Sequence, residues 1–275
     1  MRTVDFEENR AFLCQAETAF RRLFSAAKDA DELNFAAALS PEFRPYKQNS
    51  AVDAQRAFSD YFSFLSNSQN EEIRPRVALA FYSHLAEASG FWEIVKNLLG
   101  IVQGRKYNLM PFAEFTRRYG NSKGSPIPNA NALMRSLVKC SGEAGFSDLQ
   151  FTFQHAFDSN LRNAYAHADY HLSKEGVFFL ARYDEERLVS WVDLHLLLEK
   201  ALNLYLILND TRIEHCHKYI EPKQIFGSLN NRDAPTSWKV EYNLESGSMR
   251  ISNGFSLIQF AAYPNLPIFS PEIPQ

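Results

Sequence analysis

The sequence predicts a mainly α-helical bundle with a short β-hairpin late in the chain and a small β-rich C-terminal extension. Three observations point there. Apolar residues recur at three- and four-residue steps along most of the chain from Phe6 to Leu208. Ser, Asp or Asn heads several of these runs, where a helix needs a cap. Beyond His171 the period changes, and pairs such as Ser246-Gly247 and Asn253-Gly254 punctuate short apolar stretches.

Taken in order, residues 5–28 form the first predicted helix. Phe6, Phe12, Leu13, Ala16, Phe20, Leu23 and Phe24 make its stripe, with Arg10, Arg21, Arg22 and Lys28 between them. Pro41 and Pro45 mark a break. Ser50 and Asp53 have capping-box spacing and open a helix to Leu65. The longest helical signal runs from Glu71 to Gly104, and Gly90 and Gly100 are weak points that predict a division in two. Phe112 to Tyr119 reads as a short helix, and the Gly-, Ser- and Pro-rich stretch 120–128 as a loop. Asn129 caps a helix to Gly142, Ser147 with Gln150 caps one through Phe157, and Asp158 caps the short helix carrying Leu161 to Ala168. Strands at His171-Leu172 and Val177–Tyr183 flank the turn Lys174-Glu175-Gly176. Ser190 with Asp193 opens a long amphipathic helix that ends near Lys218. Lys239–Tyr242, Met249–Ile251 and Phe255–Phe260 form a β-meander, and Pro264, Pro267, Pro271 and Pro274 mark an extended tail. The organisation is thus an N-terminal helical extension (1–66), a helical domain (67–220) and a β-meander with a Pro-rich tail (221–275).

Composition narrows the function classes. The chain has 275 residues, enough for a sizeable core, and 14% are aromatic, which argues for buried rings and against disorder. A net charge of −3 excludes a general polyanion binder but leaves room for a local basic site. Cys14, Cys140 and Cys216 are odd in number and far apart, as free thiols in a reducing compartment would be. No run of about 18 apolar residues is present, and Met1–Glu8 lacks the apolar core of a secretory signal. The expectation is a cytoplasmic protein with no membrane span.

The most informative segment is Leu161 to His171. Asn163 follows Arg162 directly, and four residues separate Arg162 from His167. The string Arg162-Asn163-Ala164-Tyr165-Ala166-His167, continued by Ala168-Asp169-Tyr170, resembles the motif of the HEPN superfamily: Arg, a polar residue, three more positions, then His. A long helix before it, and a hairpin and an amphipathic helix after it, also resemble that family. The resemblance covers roughly residues 71–219, leaving out the first 65 residues and the β-rich end. It implies an all-α bundle, a homodimer whose two motifs face one cleft, and metal-independent RNA cleavage without a cofactor. Members of such families act as toxins with an antitoxin partner, in phage defence, or in RNA processing.

The chemistry suits the residues. RNA is cut without a metal when its own 2′-OH attacks the adjacent phosphate, which needs a general base, the part expected of His167. Arg162 matches the charge and geometry of the phosphorane. Asn163 and His167 share a helix face at i,i+4, and Arg162 is rotated about 100° from Asn163 but long enough to reach the same cleft. Asn163 orients His167 or donates to a phosphate oxygen. Tyr165, Asp169, His171 and Glu87 are supporting candidates: Tyr165 flanks the motif, and Glu87 supplies a carboxylate to Arg162 or His167 from the preceding helix.

Blander readings stand beside each. Arg162 closes a bundle by a salt bridge, His167 is a satisfied, partly buried histidine, and Asn163 caps or hydrogen-bonds the backbone. His167 and His171 have i,i+4 ligand spacing, but no Cys/His set accompanies them, so no metal is expected. His215-Cys216-His217 reads as a solvated helix end. The rival function is a non-catalytic HEPN module that binds or assembles within a defence or toxin–antitoxin complex. The acidic net charge leans towards it, and the complete motif leans away.

Overall fold

A stripe of Phe12, Ala16, Phe20, Leu23, Phe24 and Ala27, all buried, defines the inner face of the first helix, α1 (Thr3–Ala30). The computed structural model describes residues 3–39, 50–68, 70, 73–112, 130–180, 186–254 and 257–259. Pro41 and Pro45, most of the helix expected at Phe112–Tyr119, the 120–128 loop, Asn129 and the Pro-rich tail lie outside the described residues. Asp31 caps α2 (Glu32–Ala38) by accepting from the Asn34 amide at 3.1 Å. Next come α3 (Ser50–Asn67), α4 (Arg74–Glu87), α5 (Ser89–Val102), α6 (Ala130–Glu143), α7 (Ser147–His155) and α8 (Ser159–His167). The long α9 (Trp191–Cys216) follows a small sheet and ends in a 3-10 turn at His217–Tyr219.

The long signal over 71–104 divides at Ala88 (φ −67°, ψ 67°), not at Gly90, which is buried within α5. Trp92 gives the reason. Its indole is buried, and Nε1 donates to the Leu85 carbonyl at 3.2 Å. Residues seven apart on a straight helix stand about 10 Å apart along the axis, so this bond exists only because the chain folds at Ala88. The capping box expected at Ser147 also differs. Phe146 holds the N-cap position without a side-chain bond, and its own ring is buried, so packing sets that helix start.

The core is shared across the expected division points. Phe20 of α1 meets Phe153 of α7 edge-on at 6.1 Å, and Phe58 of α3 meets Tyr205 of α9 at 4.9 Å. α1 packs on α5, α7 and α9, and α4 on α8 and α9. Asn34 ties distant parts of the chain. Its side chain donates to the Ser228 carbonyl at 2.9 Å and accepts from the Tyr107 amide at 2.8 Å, with the residue wholly buried.

Two small antiparallel sheets complete the described residues. The first, in order β1 (Tyr170–Leu172), β2 (Gly176–Leu180) and β3 (Glu186–Ser190), has one strand more than the expected hairpin. Gly176 is required where β2 meets β3, since a Cβ there would stand 2.1 Å from the Val189 carbonyl oxygen. The second sheet runs β4 (Lys223–Gly227), β5 (Thr236–Asn243), β6 (Ser248–Ser252) and β7 (Leu257–Gln259), adding β4 to the expected meander. On β5, Trp238, Val240 and Tyr242 point inward at alternate positions. Among the described residues no helix is long and apolar enough to cross a membrane. The molecule is mainly helical.

Candidate active site

Helix α8 carries the Arg162–His167 motif, and its start is firmly built. Asp158 is the N-cap: Oδ1 accepts from the Asn160 and Leu161 amides at 2.9 and 3.1 Å. Its Oδ2 pairs with Arg187 of β3 at 2.5 Å, and its own N–H donates to the Tyr82 hydroxyl at 2.5 Å. Burial pushes the Tyr82 phenol far up, so it stays a neutral hydroxyl. Leu161 and Ala164 face inward, where α8 meets α4 and β2. The helix ends at Ala168 in the left-handed region (φ 58°), with the Ala168 and Asp169 amides turned back to the Tyr165 and Ala164 carbonyls at 3.1 and 2.9 Å. That is a Schellman closure made with alanine where glycine is favoured.

Arg162 is the hub of the motif. Its side chain is only 11% exposed. Nη2 meets the Glu87 carboxylate at the end of α4, and Nη1 donates to Asn163 Oδ1 at 2.9 Å. Asn131 Nδ2, from the start of α6, donates to the same oxygen at 3.2 Å. Arg162 Nε is buried without a hydrogen-bond partner. The guanidinium is therefore oriented from two sides, one anionic and one amide.

Asn163 does not orient His167. Its Oδ1 is taken by Arg162 and Asn131, which leaves Nδ2 as the group able to donate to a ligand. His167 lies one turn further along the same face. It is exposed, and among the described residues it has no side-chain partner.

The supporting candidates separate. Glu87 joins Arg162. Tyr165 turns its half-buried ring onto Tyr170 at 5.7 Å, where burial raises its phenol. Asp169 is exposed beyond the helix end. His171 is on β1, not on the helix, and stacks on Phe178 at 5.0 Å with rings 4° from parallel. The left-handed turn at Ala168 breaks the spacing that would have set His171 beside His167. His215 departs most from its expected solvated place. It is buried against Phe24 and Phe35 at 5.4 and 5.2 Å, and Cys216 is buried beside it. Among the described residues no group of three or more His, Cys, Asp or Glu gathers at a common point.

A groove of about 360 Å³ opens between α6, α7 and α8, lined in part by Arg135, Lys139, Asp158, Arg162 and Asn163. Arg135 and Lys139 were not expected at the site. Their sequence signal is the four-residue repeat Asn131, Arg135, Lys139, which no local motif marks as functional. The groove has three cationic side chains against Asp158, whose oxygens are already taken by the helix cap and Arg187. Two of the three cations have carboxylate partners beyond the lining, Glu87 for Arg162 and Glu143 for Lys139. No protein-family model, curated protein or solved structure matches the chain.

Proposed function

We propose that this chain is a metal-independent endoribonuclease of HEPN type, working as a homodimer in which the motifs of two copies face one cleft. One observation carries the reading. Arg162 is held by Glu87 and Asn163 at a groove also lined by Arg135 and Lys139, and the exposed His167 stands one turn beyond Asn163 on that residue's face of the helix. His167 takes the proton of the RNA 2′-OH, whose oxygen then bonds to the neighbouring phosphorus. Arg162 and the Asn163 amide stabilise the charge on the phosphorane. The bond from phosphorus to the 5′ oxygen breaks, and the imidazolium of the second copy supplies that oxygen with its proton. DNA lacks the nucleophile and is spared. In the cell this activity fits a toxin or a phage-defence nuclease restrained by a partner protein.

The test is RNA cleavage by purified protein in excess chelator, with the products examined for 2′,3′-cyclic phosphate ends. His167→Ala should lose roughly 10²–10⁴ in rate, and Arg162→Ala at least roughly 10², with helicity and dimer retained. A monomer in light scattering at tens of micromolar, on the order expected for a specific interface, counts against the shared cleft.

A second reading, a non-catalytic HEPN assembly module, has one observation in its favour. The Arg162 charge is already met by Glu87 and almost out of water, as in a pair that closes a bundle. Unfolding of Arg162→Ala, or an intact RNA panel alongside capture of a partner protein, would put that reading first.

A further inference from the structure

The groove beside Arg162 holds more than the motif. Along its α6 wall, Asn131, Arg135 and Lys139 stand at four-residue intervals, which a helix sets in one row about 6 Å apart. Arg135 is exposed and has no ion-pair partner among the described residues. Lys139 meets Glu143 at 3.7 Å, but both side chains are largely in water, where such a pair contributes little. Both cations are therefore available to a ligand.

Met134, Val138 and Phe157, each half-buried, add an apolar surface to the same groove. Tyr82 and Trp92 pack on the Phe157 ring, each at 5.9 Å, and hold it from behind. The cavity, about 360 Å³, is at the small end of the range for ligand pockets. It accommodates one nucleotide-sized group rather than a duplex. Bases in a duplex are stacked and paired, so only an unpaired one offers its face.

We propose that this groove seats one unpaired nucleotide of the RNA next to the scissile phosphate. Its base lies on Phe157 and the Met134–Val138 surface, and its phosphate lies on Arg135 and Lys139. The identity of the strand rests on the ribonuclease reading; the apolar surface of Phe157, Met134 and Val138 beside a row of cations is what calls for a nucleotide rather than a simple anion. The protein then selects single-stranded RNA, and α6 supplies substrate-binding residues that the motif does not contain.

Binding is measured by fluorescence anisotropy with a short labelled single strand of 2′-O-methyl RNA, which cannot supply the nucleophile. The double variant Arg135→Ala, Lys139→Ala should bind roughly 5- to 50-fold more weakly, with a salt slope shallower by about 0.7 for the one phosphate the two cations neutralise. An abasic nucleotide at the seated position, found by scanning the strand, should weaken binding by roughly 5- to 100-fold, the span of one base–aromatic stack. This substrate change leaves the protein fold untouched, and Phe157→Leu should abolish its effect. The same strand in a duplex should bind more weakly. Three results overturn the proposal: no saturable binding of single-stranded RNA, unchanged affinity in the α6 double variant, or indifference to every abasic position. Polyglutamate competing as well as RNA would also overturn it. If no RNA is ever cut but the α6 variant and the abasic strand lose affinity, the nuclease reading falls and the groove assignment stands. If RNA is cut with an unchanged KM in the α6 variant, the groove assignment falls alone.

Discussion

Asp158→Ala should destabilise the protein by about 1.5–2.5 kcal/mol, and the figure follows from two separate contacts. The cap accepts two amides of the first turn of α8 through Oδ1, and removing such a cap costs about 1–2 kcal/mol. The other oxygen meets Arg187, whose side chain is 42% exposed, so that ion pair adds only about 0.5 kcal/mol. Because the contacts use different oxygens, Asp158→Asn separates them. The amide retains a cap acceptor and loses the charge, so it should cost only about 0.5 kcal/mol. Urea unfolding with an unchanged m-value measures both, and Arg187→Ala serves as the control. If Asn costs as much as Ala, or Arg187→Ala as much as Asp158→Ala, then the ion pair, not the cap, secures α8.

Two further perturbations test the same structure. Ala168→Gly removes the cost of a left-handed alanine at the end of the motif helix and should stabilise by about 0.5–1 kcal/mol in urea unfolding; a destabilised variant would show that the alanine methyl matters more than its backbone. Burial, reinforced by Lys218 and Lys28, lowers the His215 pKa to about 4. The unfolded chain takes up this proton below about pH 6.5 and the folded protein only below about 4, so its stability contribution is complete above 6.5 and is lost as pH falls towards 4, about 3 kcal/mol in all. His215→Leu should flatten stability across that window, and an unchanged slope would sink the assignment.

The sequence made some features plain and hid others for physical reasons. The caps at Asp158 and Ser190 were legible because their partners lie within three residues, and Ser190 does accept the Asp193 amide at 3.1 Å. Strands β3 and β4 were not, because Val189 and Ile225 are their buried residues and no alternating stripe betrays them. Arg162 and Asn163 announced themselves through their spacing. Glu87 was legible too, as a carboxylate of the preceding helix, whereas Asn131 was not, since it lies 32 residues from Asn163 and no local pattern points to it. His215 was misread because its two ring neighbours come from α1 and α2, at the far end of the chain. Local chemistry names a cap or a motif; only the folded chain says what faces it.

Asn34 carries a consequence for the timing of synthesis. Its amide donates to a carbonyl 194 residues downstream, at Ser228. At bacterial or eukaryotic elongation speeds, about 10–40 s pass between the addition of these two residues. Helix α8 leaves the ribosome well before the strand that secures α2. A nascent chain therefore completes α8 and the elements it packs on, α4 and β2, before α2 can be secured.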